Sequence, residues 1–240
     1  MRILFLITAR GGSKGIPRKN LRELGGIPLV GFKAISALQS KYCTRLIISS
    51  DDAEIQEAAK TYGAEVPFTR PDELASDTAT SADVITHAMD FIEQETDETY
   101  EAVMLLEPTT PFARGIDYDK AVEIMLREDA QMVVGMRPVE INSTYMGAMG
   151  ENGSLVEIIT KMQSKRVQRR QDAMEYTMNG AMYLFKWDYF KAHKEIYKDR
   201  DRSFGYVMDR YHSIDIDEMI DLEWAEFLVE KGYIDISHWK

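Results

Sequence analysis

The segment Thr8-Ala9-Arg10-Gly11-Gly12-Ser13-Lys14-Gly15-Ile16-Pro17-Arg18-Lys19-Asn20 interleaves glycines with cationic side chains, directly after the apolar run Ile3–Ile7. Gly11, Gly12 and Gly15 would let the backbone approach an anion closely and turn its N–H groups toward it. Arg10 and Lys14 add charge at the mouth. At the carboxyl end of a first strand, where open α/β sheets bind ligands, such a loop suits a phosphate. A glycine-rich turn without a ligand is the alternative. The spacing is neither a Walker A loop nor Gly-x-Gly-x-x-Gly, which disfavours a nicotinamide cofactor. Near the other end of the chain, Asp215 and Asp217 are separated by a single apolar residue. In extended backbone that spacing points both carboxylates to one side. Two carboxylates, completed by phosphate oxygens and water, commonly hold Mg²⁺. The competing reading makes Asp217 the cap of the helix that follows.

These residues need elements to position them. Apolar runs at Ile3–Ile7, Leu46–Ile48, Val103–Leu106, Met132–Val134 and Ala181–Phe185 do not alternate cleanly, so each reads as a strand covered on both faces. Helical spacing runs between them. Val84, Ala88, Phe91 and Ile92 share a face over about 81–95, and Leu29, Phe32, Lys33 and Ser36 form a less tidy stripe. The stretch from Asp51 to Tyr62 opens on two acids, a good helix start. Ile220, Trp224, Phe227 and Leu228 make a last stripe, closed by Lys231-Gly232. Strands alternating with helices predict a single α/β domain over 1–240, a three-layer sandwich around a mainly parallel sheet. Residues 138–178 break the rhythm, too long for a connection and too apolar at Leu155, Val156, Ile158 and Ile159 for a linker. They read as an arm that packs on a second subunit.

The chain has 240 residues, 45% hydrophobic and 29% charged, with 29 Lys and Arg against 40 Asp and Glu and a formal charge of −11. That balance argues against nucleic acid and anionic membranes as partners. The basic stretch before Glu23 is local, which suits a small anion better than a nucleic-acid footprint. A lone Cys43 allows no internal disulfide and no cysteine-based zinc site, favouring a reducing compartment. The run Ile3–Ile7 is too short for a signal-peptide core or a membrane span. A cytoplasmic protein is the expectation.

The opening loop resembles the signature of the acylneuraminate cytidylyltransferases, the CMP-sialic acid synthetases. The resemblance continues in order through Val66–Pro71, Ser76–Ser81, Glu107–Arg114, Arg169–Asp172, Asn179–Tyr183 and Ser213–Asp217. It implies a nucleotide-diphospho-sugar transferase type of fold with a dimerisation arm. It also implies Mg²⁺-dependent joining of CMP from CTP to a nine-carbon keto-sugar acid, with release of pyrophosphate. N-acetylneuraminate is the simplest acceptor; legionaminic acid, deaminated neuraminic acid or another keto acid are alternatives. By this resemblance Arg10, Lys14, Lys19 and Asn20 hold the triphosphate and nearby ribose, and Asp215 and Asp217 the metal. Arg70, Ala79 and Ser81 surround the cytosine, although Ser81 reads equally as a helix N-cap. Arg18 matches no fixed position and is left out.

On the sugar side the resemblance points to Glu107, Arg169, Arg170 and Tyr183. Arg169 or Arg170 would grip the acid's carboxylate, in cis or across a homodimer. Three departures stand here. Glu107 replaces a usual Gln, Ser143–Met146 lacks a usual Lys, and Thr177 replaces a usual Arg. Glu107 accepts hydrogen bonds but donates none when ionised. Asn179-Gly180-Ala181 favours the sialic or legionaminic type over the pseudaminic. The four histidines show no metal spacing: His87 reads as structural and His212 as a neighbour of Asp215. No side chain stands out as base for the attacking hydroxyl, which leaves metal-lowered acidity as the expected route.

Overall fold

The computed structural model describes residues 1–96, 98–164 and 174–240. In chain order its elements are β1 (Ile3–Thr8), the short hairpin β2 (Glu23–Leu24) and β3 (Ile27–Pro28), α1 (Leu29–Gln39), β4 (Cys43–Ser49) and α2 (Ala53–Thr61). Then come α3 (Ser81–Thr96), β5 (Ala102–Leu106), α4 (Gly115–Glu128), β6 (Met132–Pro138) and α5 (Val156–Ser164). β7 (Tyr176–Lys186), α6 (Trp187–His193), β8 (Ser203–Val207) and α7 (Met219–Glu230) complete the order.

The main sheet runs β4-β1-β5-β7-β6-β8. β4, β1 and β5 are parallel neighbours, as are β6 and β8, while β7 runs antiparallel between β5 and β6. Every residue of β5 is buried, as are Ile3 to Ile7 of β1, which explains why these strands carry unbroken apolar runs. Phe5 and Ile7 pack toward α1, α2 and α4; Leu4, Leu6, Val103 and Leu105 pack toward α3 and α6. The expected α/β sandwich is therefore present.

A third apolar cluster does the positioning. Ile16 of the opening loop, Phe32 of α1, Phe112, Ile216, Leu222, Leu228 and Trp239 are all buried together. It clamps the loop after β1 against the segment that carries Asp215 and Asp217. Ile216 N–H donates to the Thr109 carbonyl at 2.8 Å, fastening that segment to the end of β5.

Two expectations need correction. The final helix buries Leu222, Ala225 and Leu228, whereas Ile220, Trp224 and Phe227 are exposed, with Trp224 and Phe227 stacked at 5.4 Å. Both sets have helical spacing, and the cluster under α1 accepted the one holding the small Ala225. The arm is also shorter than 138–178, because β7 begins at Tyr176 and pairs Tyr176 with Pro138 and Met178 with Met136. Within the arm, α5 buries none of its residues.

Candidate active site

A cleft of about 720 Å³ opens at the carboxyl ends of β1 and β5. Arg10, Lys14, Lys19, Asn20, Arg70, Ala79, Ser81, Glu107, Asp215 and Asp217 all line it. Ten expected positions, spread over most of the chain, thus converge on one wall-to-wall site. Arg169 and Arg170 lie outside the described residues.

The opening loop forms the cationic wall. Arg10 Nη1 and Lys14 Nζ meet the same carboxylate, Asp77, at 3.0 and 2.7 Å. Hydrogen bonds from Lys14 and then Arg10 hold the Asp77 carboxyl below its usual range. Asn20 points back into the loop, donating to the Arg10 carbonyl at 3.0 Å. Arg18 sits in the left-handed region at φ 58° and turns away to Asp52 and Glu54, outside the site. The glycines answer to nearer constraints than an anion. A Cβ on Gly15 would run into the Asp217 carbonyl, and one on Gly11 would stand 2.8 Å from Asp52 Oδ2. Gly12 faces open space. Gly15 is what lets the loop and the Asp217 segment close on each other.

The acidic wall adjoins it. Lys19 Nζ donates to Asp217 Oδ1 and to the Ile216 carbonyl, both at 2.9 Å. Ile216 is fully buried while Asp215 and Asp217 are exposed, so the carboxylates do share a side. Asp217 is not the helix cap. Glu218 fills that role in a reciprocal capping box with Asp221, leaving the Asp217 carboxylate to the cleft. Desolvation raises the Asp215 carboxyl, a Thr109 hydrogen bond opposes that, and the Asp217 charge raises it further. Two carboxylates in this conflict are relieved by a hard cation, so the donor set fits Mg²⁺. Among the described residues no three metal-ligating side chains gather, so such an ion would draw its remaining ligands from phosphate and water.

At the far end, Arg70 is 5% exposed, bonded through Nε to Ser49 Oγ at 3.0 Å and through Nη2 to the Ser49 carbonyl. Burial lowers the guanidinium to about 10, with Asp51 opposing and Arg10 adding to the shift. Ser81 is released from capping, since Thr80 and Asp83 exchange bonds of 3.0 and 3.2 Å at the start of α3.

Glu107 closes the floor at the end of β5. Burial raises its carboxyl to about 7, helped by Asp215 and opposed by Lys33. Beyond it a second cavity of about 250 Å³ is walled by Ala82, Ile85, Phe190, Ile196, Tyr183 and Tyr197. Tyr183 lines this apolar recess and not the main cleft. Asn179 is structural. Its amide donates to Ser213 Oγ at 3.0 Å and its oxygen accepts from Ala181 N–H at 3.1 Å, shaping the turn at Gly180, φ +69°. His212 bonds Asp209 at 2.7 Å, which removes it as a partner of Asp215. His87 packs edge-on against Phe68, as a structural residue would.

The most consequential residue without an assigned role in the sequence is Lys33. It is fully buried, and its only signal in the sequence is a lysine between Phe32 and Ser36 on an untidy helical stripe. Asp77, within the matched Ser76–Ser81 stretch, is a second residue whose role only the structure shows.

Comparison with known proteins decides the family. A cytidylyltransferase family profile matches residues 4–235. The chain belongs to the cytidylyltransferases. A CMP-N,N′-diacetyllegionaminic acid synthase from Legionella pneumophila is 34% identical, covering 96% of this chain and 97% of its own. A pseudaminic acid cytidylyltransferase from Campylobacter jejuni is 31% identical over 97% of this chain and 98% of its own. An N-acylneuraminate cytidylyltransferase from Escherichia coli is 32% identical, and the chain spans 52% of that protein's length. Among solved structures, a CMP:2-keto-3-deoxy-manno-octonic acid synthetase complexed with CTP superposes with a TM-score of 0.70 at 14% identity, covering 97% of this chain and all of that one. At that identity the likeness is one of fold. For this cytidylyltransferase the nucleotide is CTP, and no helix of the described residues is long and apolar enough to cross a membrane.

Proposed function

We propose that the enzyme transfers CMP from CTP to a nonulosonic acid, releasing pyrophosphate. The observation that carries this is the convergence of a cationic loop, a carboxylate pair and a buried arginine in one cleft that opens at Glu107 into an apolar recess. The acceptor's anomeric hydroxyl oxygen attacks the α-phosphorus and gives up its proton to solvent; the bond from that phosphorus to the bridging oxygen breaks, and pyrophosphate departs with the electrons. Such a transfer asks the protein mainly for positioning and charge neutralisation. Arg10, Lys14 and Lys19 neutralise the triphosphate, displacing the ion pairs to Asp77 and Asp217. Asn20 holds the loop that presents Arg10. Arg70, Ala79 and Ser81 enclose the base. Asp215 and Asp217 would hold Mg²⁺, which supplies charge withdrawal from the phosphates and acidifies the attacking hydroxyl.

N-acetylneuraminate is the simplest acceptor. A second reading, an acid of the N,N′-diacetyllegionaminic type, is favoured by the apolar walls of the recess. Those walls suit methyl and N-acyl groups better than a hydroxyl-rich tail. The test is pyrophosphate release from CTP and Mg²⁺ with N-acetylneuraminate, N,N′-diacetyllegionaminate, pseudaminate and deaminated neuraminate, against a no-acceptor control. Turnover on one acid supports the reading and ranks the acceptors; none on any acid refutes it.

We infer a homodimer built on the arm, supported by Ile141, Met149, Val156 and Ile159, which are 46 to 69% exposed on it. Light scattering after gel filtration tests it, a monomeric mass being the contrary result. We place the enzyme in the cytoplasm, where its nucleotide substrate and its single reduced cysteine both belong.

A further inference from the structure

Lys33 projects from α1 into the interior and is fully buried. Its ammonium donates to the Ala181 carbonyl at 2.9 Å, with the Tyr118 hydroxyl at 3.5 Å and the Tyr118 ring centroid at 5.9 Å. No carboxylate among the described residues forms a direct ion pair with it. A buried ammonium so placed is costly unless a nearby charge compensates it. The carboxylate that acts on it most strongly is Glu107, ahead of Asp215 and Asp117. The geometry agrees. Ala181 follows Gly180, and a Cβ at Gly180 would stand 3.5 Å from Glu107 Oε2 and 3.5 Å from the orphaned Thr110 hydroxyl. Lys33 therefore supports, from beneath, the turn that faces the Glu107 carboxylate.

We propose that Lys33 is a positioning residue for acceptor binding, the buried counter-charge that seats Glu107 as a hydrogen-bond acceptor on the floor between the two cavities. In its ionised form Glu107 accepts from acceptor groups that present O–H or N–H to it and disfavours those that present a carbonyl. Without Lys33 the Glu107 carboxyl loses the one opposing lysine charge beneath the Gly180 turn and is raised further, and the turn loses its tie to Lys33 through the Ala181 carbonyl. This inference rests on the acceptor-site reading above.

A double-mutant cycle tests it, with the better turned over of N-acetylneuraminate and N,N′-diacetyllegionaminate as acceptor. Lys33→Met is expected to raise the acceptor KM about tenfold with the CTP KM changed less than twofold. In the Glu107→Gln background, where no carboxylate needs a partner, Lys33→Met should cost threefold or less. Equal losses in the two backgrounds would overturn the proposal. Should Lys33→Met fail to fold, NMR of the lysine Cε and Nζ decides without it. Lys33 faces Glu107, Asp215, Asp117 and Tyr118, and burial lowers it to about 7 with those three carboxylates opposing. Glu107→Gln should lower its titration midpoint by about one pH unit, and an unmoved midpoint refutes the coupling. That readout needs neither CTP nor acceptor, so it separates this proposal from the acceptor assignment. Absence of CMP transfer by the unsubstituted enzyme would sink the assignment and leave the resonance informative.

Discussion

The two ends of the site are built on different physics. The proposed nucleotide end is made of paired charges at the surface of a cleft: Arg10 and Lys14 on Asp77, Lys19 on Asp217, each with one member at least half exposed. Exposed pairs of this kind contribute little stability, about 0–1 kcal/mol, so a triphosphate exchanges with them cheaply. The proposed acceptor end relies on burial. Lys33 is fully enclosed, Glu107 is pushed up to about 7, and aromatic and aliphatic side chains wall the recess. On the proposed reading, one end is rearranged by its ligand and the other is preformed and sets which ligand fits.

That contrast ranks the expected effects of substitution. Asp217→Ala removes one of the two carboxylates and should lower turnover by about 10²–10³-fold in pyrophosphate release, with the fold intact by circular dichroism. Retained activity would take the acidic wall out of the reaction. Lys14→Ala removes one charge-assisted contact to phosphate and should raise the CTP KM on the order of tenfold, read in initial-rate kinetics.

The burial at the acceptor end has a pH signature. A carboxyl raised in the folded state contributes stability below its unfolded pKa and loses it as pH rises through the folded value. For Glu107 that window runs from ordinary glutamate acidity up to about 7. Glu107→Gln has no such loss, so its Tm minus that of the parent enzyme should grow between pH 5 and pH 8 by a few degrees. A constant difference would mean that Glu107 is not held in a costly environment. The smallest effect belongs to Asp77→Asn. Freeing Arg10 and Lys14 before the nucleotide arrives should tighten CTP binding by about two- to fivefold in calorimetry, and weaker binding would make Asp77 a support for the loop instead.

The same division explains what could be read in the residues beforehand. Strands buried on both faces write themselves as apolar runs, so Ile3–Thr8 and Ala102–Leu106 were evident. The cationic loop was legible too, because Arg10, Lys14 and Lys19 stand in one contiguous stretch, whereas the carboxylates they meet come from distant segments. Tertiary choice hid the rest. Nothing local says that α7 buries Leu222 and Ala225 while leaving Trp224 outside. The start of β7 at Tyr176 depends on pairing with Pro138, a partner far along the chain. Gly15 is required by Asp217, a contact across nearly the whole sequence. Lys33 looked like a blemish in an amphipathic stripe, and its meaning depends on the Ala181 carbonyl and on Glu107 from two other strands.

The division itself is tested most directly by one set of kinetics, measuring the KM for CTP and for the acceptor acid in Lys14→Ala and Glu107→Gln side by side. The account predicts a crossed result: Lys14→Ala shifts the CTP KM and spares the acceptor KM, and Glu107→Gln does the reverse. If both substitutions shift both constants together, the two ends do not act separately and the division fails.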